Sequence, residues 1–163
     1  MKRLRAIWIS GALSVLALTG CGLTASPADG LTFTAPAGWQ SSPGILGFMQ
    51  FWHPASNDDE VLMLFKSPKP ISTNEIFQKA NISDMRVSHE QKITICGAQP
   101  ALYLEGEATS SSVNNNPSKP HDMQMVMTNA AGSTYFAMYV YPVSVRPNAE
   151  AVASLRQLCA KPA

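Results

Sequence analysis

The sequence predicts a single α+β domain, and three observations carry that prediction. Runs of strand length, apolar or alternating and bounded by Gly, Pro, Asn, Asp and Ser, recur from Leu31 to Tyr141. Two helical signals accompany them: a capping box at Ser72 and Glu75, and an apolar stripe of Val152, Leu155 and Leu158 after Pro147. Finally, a short basic-then-apolar N-terminus stands apart, leaving 143 of the 163 residues, enough for one domain with a real core.

That N-terminus comes first in the chain. Lys2, Arg3 and Arg5 precede an apolar stretch of thirteen residues from Ala6 to Leu18. At about 1.5 Å per residue the stretch reaches only ~20 Å, short of the ~30 Å core of a bilayer. Leu18-Thr19-Gly20-Cys21 then resembles the lipobox of bacterial lipoprotein signal peptides. The resemblance implies cleavage of residues 1–20 and acylation of Cys21 by a diacylglycerol and an amide-linked chain such as palmitate. Two such chains give stable anchoring where one gives only marginal binding. Gly22 occupies the position of the aspartate associated with inner-membrane retention, so in a two-membrane cell the expectation is the outer membrane. The alternative is an ordinary secretory peptide with a chance cysteine. Residues 21–30 read as a tether with a relaxed span of ~15–18 Å and a limit of ~30 Å.

The domain then occupies residues 31–163. Leu31–Thr34 alternates as a strand and stops at Pro36 and Gly38, with Trp39 as a core anchor after the turn. Gly47–His53 is an aromatic strand, and Glu60–Phe65 is nearly all apolar, as for a strand buried on both faces. Ser72 and Glu75 open a short helix, flanked by Ile71 and Ile76 as a hydrophobic staple, that fades by Asn81. Met85–Ile95 alternates weakly, and a turn at Gly97–Pro100 leads into the strand Ala101–Ala108. Residues 109–120 form a polar, Ser/Asn/Pro-rich loop. His121–Thr128 and Thr134–Tyr141 are strands of a hairpin around residues 129–133, and a terminal helix follows Pro147.

Composition narrows the functional classes. After cleavage, nine basic and eleven acidic side chains remain, a formal balance of −2. A near-neutral surface without a basic cluster argues against nucleic acid as a partner. With Cys21 acylated, Cys96 and Cys159 are an even pair in an oxidising compartment and read as a disulfide, the alternative being two buried thiols.

The Pro36-Ala37-Gly38-Trp39 turn, the Cys96-Gly97-Ala98-Gln99-Pro100-Ala101 turn, and a last aromatic strand before an alanine-rich helix are together similar to the Mog1/PsbP-like α/β/α sandwich domains. Bacterial lipoproteins belong to that superfamily, and the resemblance covers roughly residues 31–160. It implies a mainly antiparallel sheet with helices on its faces and a binding or accessory role, and it carries over no catalytic residue.

Three chemistries compete with that expectation. His53 beside Asp58 or Asp59 supplies two parts of a hydrolytic triad, and His121 is a second candidate base, but no Gly-x-Ser-x-Gly elbow accompanies them. Asn57-Asp58-Asp59-Glu60 lacks the alternating ligands and glycine of a calcium loop, and His89-Glu90 lacks the second histidine of a zinc helix. His121, Met123, Met125 and Met127 share one strand face and are soft ligands suited to Cu(I), yet successive side chains emerge ~6.8 Å apart, which suits core packing better. Tyr135, Tyr139 and Tyr141 share a parity, either as an exposed gripping face or beneath a helix with their hydroxyls at the rim. The expectation is therefore a lipid-anchored envelope protein that binds without catalysing and holds no cofactor. The alternatives are a small envelope hydrolase using His53 or His121 and a copper carrier on the Met123–Met127 strand.

Overall fold

The computed structural model describes residues 30–42, 49–56, 59–79, 85–108 and 120–161. Residues 1–20, expected as a signal peptide, Cys21 and the rest of the expected tether to residue 29, Gly47 of the expected aromatic strand, Asp58 and nearly all of the 109–120 segment lie outside the described residues.

Nine strands and two helices are described. Strands β2 (Trp39–Ser42), β3 (Met49–Pro54), β4 (Val61–Ser67), β5 (Met85–Ile95), β6 (Gln99–Ala108), β7 (His121–Ala130) and β8 (Ser133–Pro142) form one sheet in the order β2-β3-β4-β8-β7-β6-β5. Every neighbouring pair in it is antiparallel. β1 (Leu31–Thr32) and β9 (Cys159–Ala160) pair with each other in a separate ribbon. Helices α1 (Thr73–Lys79) and α2 (Ala149–Leu155) are seven residues each, so the domain is more β-rich than a helix-covered sandwich. No described helix is long and apolar enough to cross a membrane.

β4 and β8 are central, and their sequences show it. Val61, Leu62, Met63 and Leu64 are all buried, as is every residue from Thr134 to Tyr141. Alternation divides their side chains between two cores. On one face Trp52, Leu62, Leu64, Val126, Ala137 and Tyr139 pack against Ala151 and Leu155 of α2. On the other, Met63, Leu104, Met123, Met125, Phe136 and Met138 pack against Ile71 and Ile76 at α1.

The helix starts follow from local chemistry. Ser72 N–H donates to Glu75 Oε2 at 2.8 Å and Glu75 N–H donates to Ser72 Oγ at 3.4 Å, the reciprocal capping box. α2 is capped by Asn148, whose side-chain oxygen accepts from the backbone of Glu150 and Ala151.

Several boundaries differ from expectation. The polar segment Trp39–Ser42, expected only to supply a core aromatic, is an edge strand paired with β3. The first strand stops at Thr32, because only Leu31 and Thr32 find partners in β9. The 129–133 loop contracts to Ala131-Gly132, both at positive φ (49° and 75°), so Asn129 and Ala130 join the ladder opposite Thr134 and Ser133. Helix α2 starts at Ala149, after its Asn148 cap, but ends before Leu158, so Cys159 lies in β9.

Cys96 and Cys159 form a disulfide with Cα atoms 5.7 Å apart. It joins the β5–β6 turn to β9, not to the terminal helix. Gln99 reinforces the junction: its amide donates to Thr128 Oγ1 and the Leu158 carbonyl, and its oxygen accepts from Ala160 N–H.

Candidate functional site

The residues with the most chemistry lie on the α2 face, toward the end where β6 finishes and β7 begins. Strand parity brings Tyr103, Glu105 and Glu107 of β6 to this face, with Asp122 and Gln124 of β7 and Tyr139 and Tyr141 of β8. Register aligns them in two rows across the strands. Arg86, Glu107, Asp122 and Tyr141 are successive partners, and so are His89, Glu105, Gln124 and Tyr139. A bulge between Val87 and His89 keeps Arg86 and His89 on the same face.

The tyrosines are buried and their hydroxyls are committed. Tyr103 donates to Glu105 Oε1 at 2.5 Å, and Gln124 donates its amide to the Tyr141 hydroxyl at 3.3 Å. Tyr139, fully buried, donates to Glu60 Oε2 and accepts from Asn148 N–H at 3.0 Å. The Tyr139 and Tyr141 rings stack at 4.8 Å, Trp39 meets Tyr139 edge-on at 6.0 Å, and the Arg156 guanidinium lies 5.6 Å from the Tyr103 ring centre. The tyrosines thus lie beneath other elements with their hydroxyls at the rim, rather than forming an exposed face.

Burial is the main cause of the electrostatic shifts here. It pushes the Tyr103 and Tyr139 phenols well above their ordinary value, helped by hydrogen bonds to Glu105 and Glu60. Tyr141 is also raised by burial, against the hydrogen bond from Gln124. The Asp122 carboxyl is raised by burial first and by Glu107, directly across the ladder, second. The face therefore combines protonated phenols with the carboxyl groups of Glu105, Glu107 and Asp122. Gln124 Oε1 is buried with no hydrogen-bond partner among the described residues.

His53 and His121, the alternative hydrolytic bases, lie on different strands. His53 lies on β3, opposite Gln40, with Nδ1 3.2 Å from the Pro54 carbonyl oxygen. His121 is buried on β7, on the same face but three strands away, which is about 14 Å at about 4.8 Å per strand. Of the methionines, Met123 and Met125 are almost fully buried beneath α1, and Met127 borders the same cluster. Among the described residues no group of three or more His, Cys, Asp and Glu could hold a metal ion.

Reasoning from sequence missed the carboxylates at 105, 107 and 122. Their signal was the shared parity of Glu105 and Glu107 with Tyr103, and of Asp122 with Gln124, but only the β6–β7 register makes them one group.

No family model matches the chain, and neither does any curated protein. Among solved structures, the chain is similar to the cyanobacterial PsbP protein (CyanoP) of Synechocystis sp. PCC 6803, with 14% identity, 76% of this chain and 84% of that chain covered, and a TM-score of 0.49. It is also similar to a protein of unknown function from Pseudomonas aeruginosa, with 7% identity, 77% of this chain and 99% of that chain covered, and a TM-score of 0.48.

Proposed function

We propose that this chain is an exported, lipid-anchored envelope protein that works as a non-catalytic binding or accessory module. The observation that carries the reading is the Cys96–Cys159 disulfide, a bond at home in an oxidising compartment. It agrees with the basic and apolar N-terminus ending in Leu18-Thr19-Gly20-Cys21. The α2 face supports binding over catalysis, because its phenols stay protonated and their hydroxyls are spent on Glu105, Glu60 and Gln124. Groups held this way orient acceptors for a partner.

A fatty-acid probe tests the anchoring half. The wild type should be labelled and fractionate with membranes, and Cys21→Ser should remain unlabelled; equal labelling of the two would refute it. Crosslinking in intact membranes tests the binding half. A specific crosslinked species should be lost in the Glu107→Lys/Asp122→Lys variant, and a crosslinking pattern unchanged by that substitution would count against this face.

A further inference from the structure

The two ends of the sheet differ in charge, and the chain enters the domain at one of them. Gly30 sits against the Tyr135 hydroxyl, and its carbonyl accepts from Lys161 N–H. Tyr135 is near the start of β8, beside Lys66 in the β4 register, at the same end as the β7–β8 turn and the disulfide. This entry end carries Lys66, Lys69 and Lys161. Lys69 and Lys161 are exposed, and the half-buried Lys66 places its ammonium 5.5 Å from the Tyr135 ring centre. One exposed carboxylate, Glu75 of the Ser72 capping box, follows β4 on this side, so the lysines outnumber it. Among the described residues the opposite end is acidic: Glu60, Glu107, Asp122 and Glu150 gather there, outnumbering Arg86 and Arg146.

We infer that the Lys66–Lys69–Lys161 end rests on an anionic phospholipid surface and that the tyrosine–carboxylate face is held away from the bilayer. This inference rests on the lipid-anchor reading of Cys21. From Tyr135 to Tyr141 the strand runs about 20 Å at about 3.4 Å per residue. The tether before Gly30 has a relaxed span of only ~15–18 Å. Inverting the domain would stretch the tether and press carboxylates against like-charged headgroups. Upright, each lysine near such a surface strengthens its attachment roughly five-fold, an effect that salt screens. The partner-facing groups are then presented outward, as a binding module on a short leash requires.

Lysine footprinting of the full protein, purified from membranes and reconstituted into vesicles, tests this. With phosphatidylglycerol-containing vesicles, modification of Lys66, Lys69 and Lys161 by an amine-reactive probe should fall several-fold relative to pure phosphatidylcholine vesicles. Carbodiimide labelling of Glu107, exposed at the opposite end, should not change, and about 1 M salt should restore lysine reactivity. Equal modification of the three lysines in both vesicle types, or protection of Glu107 instead, overturns the orientation. Acylation is read in the same digest from the mass of the Cys21 peptide. A peptide without acyl mass refutes the anchor and the orientation with it, whereas an acylated protein with unprotected lysines refutes the orientation alone.

Discussion

Tyr139 ties three elements together through one hydroxyl, which donates to Glu60 ahead of β4 and accepts from Asn148 at the start of α2. Tyr139→Phe keeps the ring and leaves both partners without it, so a loss of ~1–3 kcal/mol in urea unfolding is expected. Its raised pKa also has a sign. In the unfolded chain Tyr139 and Tyr103 ionise near pH ~10, while the folded protein holds their protons to higher pH. Stability should therefore fall as the pH rises above ~10, and less steeply in Tyr139→Phe. Asp122 follows the same sign in the acid range. Its folded pKa is raised, so stability is lost as pH climbs from the ordinary carboxylate value to the folded one. Asp122→Asn should melt higher than wild type at neutral pH and level with it below about pH 3.9. A constant difference across that range would show that Asp122 carries no such penalty. Gly106 is decided by space alone: a Cβ there would collide with the Arg86 carbonyl oxygen, backbone that cannot step aside without undoing the β5 bulge.

Among the elements, those with strong local signals were legible in the sequence. The apolar run of β4, the alternation of β7 and β8 and the Ser72–Glu75 box each depend on neighbours a few residues away. β2 was not legible, since Gln40, Ser41 and Ser42 have no apolar rhythm and become a strand only by pairing with Phe51, Trp52 and His53. β9 was hidden for the same reason: Cys159 and Ala160 follow a helix and are extended only opposite Leu31 and Thr32. The β7 methionines give the sharpest test at this scale. Met125 is fully buried between Leu104 and Met138 in the strand register, so Met125→Ala should cost ~2–5 kcal/mol. Added Cu(I) should leave the melting temperature unchanged, because only a ligand that prefers the native state raises it. A stable Met125→Ala protein, with a copper-dependent gain in the wild type, would restore the carrier alternative.

For the molecule as a whole, the disulfide matters through where it lies. It closes the chain between the edge hairpin β5–β6 and the C-terminal ribbon, fastening the segment after α2 at the Gln99 junction. Cys96→Ser/Cys159→Ser should lose ~2–5 kcal/mol and melt at a temperature no longer sensitive to reductant. If the double variant kept wild-type stability, Gln99 and the β1–β9 pairing would be sufficient to hold that end. Charge is also organised at this scale, with lysines where the chain enters and carboxylates where β6 finishes. The net balance of the sequence conceals this, because opposite ends cancel in a sum.

The sequence by itself determined the α+β class, most strand positions and the first helix cap, all readable from periodicity and capping chemistry, whereas the cysteine pairing was an expectation conditional on acylation of Cys21. Only the tertiary structure decided the order of the strands, the division of Met and Tyr parities between two cores, and the assembly of Glu105, Glu107 and Asp122 into one face. The physical reason is that periodicity says which residues share a side of a strand. Which strand lies alongside, and in what register, is set by packing between segments far apart in the chain.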